Sequence, residues 1–228
     1  MDTPHFRPLK TLATVTTALL AANAGLAALA LLITFWFQGD GAEDVLNASS
    51  LESTLALLGF IGFLAVSIFV GTTVSFCMFV HRAASNLRAL GRSGLQFTPG
   101  WAVGWFFVPF ANLFKPYHAI KEIVLASDPD TEKSEYTTTW MSNPVPQIVG
   151  AWWAFWIVRL VVDRVSSKME TTSLSFDLFS IVIEFVSVAT AILLVQHIAR
   201  QQETLSGRDR ASLTMAGQLG HVVDRPLR

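Results

Sequence analysis

The chain has 228 residues, of which 52% are hydrophobic and only 14% charged, whereas soluble globular domains carry about 25% charged residues. With a mean hydropathy of +0.47 and a net charge of -1, the composition argues against a small soluble enzyme. It also argues against a nucleic-acid binder, which needs a large basic field.

The charges cluster and leave uncharged runs at residues 11–39, 53–80, 93–114 and 136–158. The first two are long enough to cross a hydrocarbon core, which takes roughly 20 helical residues. Arg7 and Lys10 precede the first run, but it continues to Trp36 and Phe37. A signal-peptide core spans about 7–15 residues, so a retained membrane helix is the reading. The single cysteine, Cys77, excludes an intrachain disulfide and a thiolate metal site.

The first helix is predicted from about Leu12 to Trp36. Ala21 with Gly25, and Ala24 with Ala28, form small-xxx-small pairs that permit close helix contact in lipid. Asn23 is expected to turn toward a neighbouring helix. The following segment is acidic and holds Asn47-Ala48-Ser49, a glycosylation acceptor in a eukaryotic secretory setting. The second helix is predicted from about Thr54 to Val80, with Ser67, Gly71 and Ser75 on one stripe. Its Ser and Thr residues read as backbone-bonding helix residues rather than nucleophiles. Residues Arg82–Leu90 continue it out of the bilayer, and Gly91 and Gly94 stop it.

The least ordinary stretch runs from Pro99 to Tyr117. Its apolar part, Trp101 to Phe114, is short for a straight crossing. Pro109 breaks it, and Pro116 is suited to the first turn of a new helix. Gly100 and Gly104 form a GxxxG pair with a high chance of coincidence. Beyond Pro116, Tyr117, Ile120 and Val124 fall on one side and His118, Lys121 and Glu122 on the other. That pattern suits an amphipathic helix lying in the interface plane.

A third long helix is predicted from Gln147 to about Val165 and a fourth from about Leu174 to Ile198. Residues 201–228 read as a short polar cytoplasmic tail, with residues 1–200 as a single helical membrane domain. The end of the second helix (Phe79-Val-His81-Arg-Ala) faintly echoes the end of the fourth (Val195-Gln-His197-Ile-Ala).

The expected fold is therefore all-α and polytopic. It has four transmembrane helices, a proline-broken re-entrant or interfacial aromatic segment, and one amphipathic helix. Lys and Arg gather at the N-terminus, after the second helix and after the fourth, while the first loop has none and the link between the third and fourth helices has Arg164 and Lys168. By the positive-inside rule, this predicts a multi-pass protein of the cell membrane with both termini cytoplasmic. A rival topology lets residues 101–114 cross as well, which moves Lys115, Lys121, Lys133 and the Arg-bearing tail outside.

Two candidate sites emerge. Arg159 and Glu184 are charges inside apolar helices, at depths that allow a candidate intramembrane ion pair. They either bridge two helices or line a path, and the bridge is favoured. Asn86, Arg88, Trp101, Trp105, Asn112, Lys115 and Tyr117 form a candidate interface or headgroup patch. It either binds lipid phosphate or anchors the interface through its aromatics. Pro109 and Pro116 supply the structural break. His81, His118 and His197 carry no metal-site spacing, and no catalytic or cofactor-binding residue is assigned.

The stretch His81-Arg-Ala-Ala-Ser-Asn-Leu-Arg-Ala-Leu-Gly91, followed by residues Pro99 to Tyr117, resembles the signature of a bacterial membrane-protein family, domain of unknown function 4328. Asn86, Arg88, Leu90, Gly91, Trp101, Trp105, Pro109, Asn112, Leu113, Pro116 and Tyr117 carry the resemblance. It implies an integral membrane domain over about residues 50–200 and no catalytic assignment. The expectation is a non-enzymatic scaffold, partner subunit or lipid-interacting module. Its partners would be the bilayer and a second copy or another membrane protein, with no nucleic acid and no cofactor. The alternative is a small oligomeric transporter or channel built on the Pro109 break and the Arg159/Glu184 pair.

Overall fold

The computed structural model describes residues 5–38, 48–131, 139–169 and 173–223. Among them every regular element is helical: α1 (Lys10–Gln38), α2 (Ala48–Ala89), α3 (Pro99–Gly104), α4 (Lys115–Ala126), α5 (Gln147–Ser166) and α6 (Leu174–Val223). Two 3₁₀ turns, Ala111–Leu113 and Thr139–Ser142, complete the order. Asn47 and Lys133 lie outside the described residues.

Three stretches are long and apolar enough to cross a membrane: Lys10–Trp36, Glu52–Ala89 and Leu174–Ser212. Four were expected. Helix α5 does not join them, because Arg159, Asp163 and Arg164 interrupt its 20 residues.

The chain divides into two compact units. One comprises residues 12–78 and 147–195. Many of its large side chains face outward, including Phe60, Phe63 and Phe69 of α2 and Leu32 and Phe35 of α1. Water would make such a surface costly, at about 25 cal/mol for each Å² of apolar area, whereas hydrocarbon would not. Small and polar residues pack inward instead. The Thr16 and Ser75 hydroxyls share a buried hydrogen bond of 2.6 Å, and Asn23 donates to Thr72 Oγ1 and to the Leu19 carbonyl. Gly71 leaves room for Leu19.

Asn23 thus turns inward as expected. The small-residue stripes do so only in part: Ala24 is buried, but Gly25 and Ser67 are exposed. Ser67, Thr72 and Thr73 donate to carbonyls one turn back. Trp152 is buried and packs between Phe76 and Trp153.

The other unit comprises residues 1–11, 79–146 and 196–228. Gly91 and Gly94 end the α2 run with φ of 72° and 71°, backbone that glycine adopts without a Cβ clash. The core holds Phe79, Ala83 and Leu87 from α2, Ile120 and Ile123 from α4, and Ile198 from α6.

Two expectations change here. Helix α6 does not give way to a tail near Ile198 but continues to Val223, with Gln202, Leu205 and Ser206 buried. Helix α4 is amphipathic as expected, with His118 exposed, but Glu122 leaves the polar face and is one of eight buried residues among its twelve.

Candidate membrane-interface site

The segment from Thr98 to Phe114 is built as a short helix, a broken turn and a ridge. Thr98 stays extended and its hydroxyl accepts from the Trp101 N–H at 3.3 Å, capping α3. Pro99 opens the helix, where its missing N–H costs nothing. Trp101 folds over Gly104, where an added Cβ would come within 3.2 Å of its ring. Gly104 therefore serves a local aromatic contact, whereas Gly100 faces open space.

Pro109 then ends any helix. The Ala111 N–H donates to the Pro109 carbonyl at 2.7 Å, with Phe110 between them at φ 63° and ψ -42°. This is the rarer, strained hand of the γ-turn. Holding a Phe there costs on the order of 1–3 kcal/mol. The Asn112 N–H donates to the Val108 carbonyl at 2.9 Å and carries the chain into the 3₁₀ turn.

The result is a run of outward aromatics. Trp101, Phe107, Phe110 and Phe114 are all exposed, Phe110 to 83%. The Trp101 and Trp105 rings lie 4.6 Å apart between centroids. Lys115 places its ammonium 5.6 Å from the Trp105 ring centre, within cation–π range. Pro116 sits in the first turn of α4 as expected.

The residues grouped by sequence thus separate into four settings. Trp101, Trp105 and Lys115 come together on the ridge. Tyr117 turns its ring edge-on to His118, with 5.5 Å between centroids. Asn86 goes inside: it accepts from the Arg7 N–H at 3.0 Å and donates to the Arg7 carbonyl and to Gln202. Arg88 is exposed near the end of α2.

Two further residues, Gln202 and Glu122, hold roles that their sequence positions do not display. Gln202, fully buried, donates to the Ala83 carbonyl at 3.0 Å and to Ser127 Oγ at 2.9 Å. Its signal was the faint echo, because Gln202 follows His197 by the same offset at which Asn86 follows His81. Glu122, 7% exposed, accepts from the Gln96 N–H at 2.7 Å and from the Phe97 N–H at 3.1 Å. Burial pushes its carboxyl above the usual range, against the pull of those amides and of the Arg88 charge.

In the other unit, Arg159 Nε donates to Glu184 Oε2 at 2.8 Å, and Asp163 approaches the same nitrogen at 3.6 Å. The charge pair picked out in sequence is therefore a direct contact. Among the described residues no group of three or more His, Cys, Asp or Glu could hold a metal ion.

The profile of Domain of unknown function (DUF4328) matches residues 42–203. The chain belongs to this family. The DUF4328 match spans Asn86, the aromatic ridge, Glu122, Arg159, Glu184 and Gln202. Comparison with curated proteins and with solved structures finds no significant match.

Proposed function

We propose that this DUF4328 protein is a non-enzymatic integral membrane protein that meets lipid through residues 99–114 at the cytoplasmic interface. The observation that carries this reading is the outward ridge of Trp101, Phe107, Phe110 and Phe114, held out by a strained turn. Aromatic rings favour the headgroup level of a bilayer, where an apolar body meets polar surroundings. Lys115, at the foot of the ridge, supplies a cation for lipid phosphate. Within this reading the protein acts as a scaffold or partner subunit of the cell membrane.

Four crossings with both termini cytoplasmic accompany this proposal. Helix α5 is the fourth, since its 20 residues span about 30 Å. Its Arg159 is neutralised by Glu184 rather than left bare. That contact also favours a bridge between α5 and α6 over the alternative of an oligomeric transporter or channel, which needs these charges to face water.

The test uses Phe110→Cys in a Cys77→Ala background, labelled with an environment-sensitive fluorophore and reconstituted in phospholipid vesicles. Quenching by shallow lipid-borne quenchers, with protection from aqueous iodide, is the expected result. Full quenching by iodide and none by lipid would reject the interfacial reading.

A further inference from the structure

Glu122 links helix α4 to the chain that leads into the aromatic segment. Its two carboxylate oxygens accept from two consecutive backbone amides, Gln96 at 2.7 Å and Phe97 at 3.1 Å. The next residue, Thr98, caps α3, which carries Trp101. A carboxylate accepts at both oxygens, but a protonated carboxyl turns one of them into a hydroxyl donor. It can then serve only one of the amides well.

The carboxyl is buried yet not sealed. It lines an open pocket of about 190 Å³ together with His118, Lys121 and Trp140, so a proton can arrive from solvent. The charged and titratable groups around it are Arg88 from α2, which favours the carboxylate, and Lys121 and the His118 imidazole from its own helix.

We propose that Glu122 is a proton-controlled tether: it holds both amides at neutral pH and releases Phe97 on protonation. Phe97 is the amide that lets go, because its bond is the longer of the two. Release loosens the residue just before the α3 cap while leaving Gln96 attached. Any consequence for lipid contact rests on the interfacial reading above. The tether itself does not.

The sequence provides a clean probe, since Gln96-Phe97 is the only Gln–Phe pair in the chain. Labelling glutamine carbonyls with ¹³C and phenylalanine amides with ¹⁵N isolates the Phe97 amide in the full-length protein. On acidification its proton is expected to move upfield in one step, above the ordinary glutamate range. Its exchange, corrected for intrinsic rate, should rise about tenfold across that step, the equivalent of one modest hydrogen bond. Glu122→Gln should abolish the step, and His118→Ala should keep it. A flat wild-type profile, or a step that persists in Glu122→Gln, overturns the proposal. Should Glu122→Gln fail to fold, loss of the step in His118→Ala would assign the titration to the imidazole and overturn it equally.

Discussion

Asn86 Nδ2 donates to Gln202 Oε1 at 3.0 Å across 116 residues of sequence, joining α2 to α6 inside one unit. Asn86 also closes a two-way bond with the Arg7 backbone. Gln202 passes the connection on to Ala83 and Ser127. Every amide group in this chain of bonds has a partner, which is what makes a buried polar network stable. Gln202→Leu removes three of those partners at once. Asn86 Nδ2 keeps its bond to the Arg7 carbonyl, so each of the three lost bonds counts at about 1 kcal/mol and a loss of about 3 kcal/mol is expected in detergent unfolding. Asn86→Leu should be comparable, and the double variant should cost less than the sum because the sites share partners.

Much of the helical order follows from local chemistry that a sequence displays. Apolar runs mark α1 and α2, Gly91 and Gly94 stop the latter, and Pro109 breaks the aromatic stretch. Opposite charges in two apolar helices pointed to the Arg159–Glu184 contact. The inward turn of Glu122 was not legible, because periodicity grouped it with His118 and Lys121 on a polar face. What draws it inside is a pair of amides 25 and 26 residues away, and no local pattern encodes that meeting. The course of α6 was obscured for a similar reason. Gln202 and Ser206 look like tail residues until their buried surroundings are known.

Arg159 and Glu184 should behave as a unit. Glu184→Gln leaves the guanidinium with no carboxylate but Asp163, at the longer distance of 3.6 Å. An unpaired charge near the bilayer centre costs about 2.5–3.5 kcal/mol on insertion scales. Partial exposure of Arg159 makes this an upper bound. The expected readout is poorer membrane assembly and a lower thermal midpoint. The swap of Arg159→Glu with Glu184→Arg should recover part of both. Full assembly of Glu184→Gln with loss of a transport activity would instead favour the path reading.

Phe110 offers a separable test of backbone and side chain. At φ 63°, Phe110→Ala keeps the strain and loses the ring, whereas Phe110→Gly loses both. The glycine variant should be more stable than the alanine variant by about 1 kcal/mol in thermal unfolding. Both should lose lipid contact equally. A glycine variant less stable than alanine would remove the case for strain at this turn.

The pH dependence of stability should carry a Glu122 component of definite sign. Burial raises its folded value above the ordinary one, so the native protein holds a proton that the unfolded chain has released. Stability from this group is greatest at low pH and declines as pH rises from the ordinary value through the folded one. Glu122→Gln should flatten that decline in a series of thermal midpoints. A steeper decline in the variant would contradict the sign.

The proposed topology makes Lys168 and Arg200 report from opposite sides. Both are exposed; Lys168 lies between α5 and α6, and Arg200 lies beyond the apolar part of α6. With four crossings, Lys168→Cys in a Cys77→Ala background should react with impermeant maleimide added to intact cells. Arg200→Cys should react only after the membrane is opened. If residues 101–114 crossed the bilayer, every later segment would change sides and the two labels would exchange behaviour. The strained turn at Phe110 favours the first outcome, because a crossing would place that irregular backbone in hydrocarbon. Lipid-exposed backbone groups cannot be left without hydrogen-bond partners there.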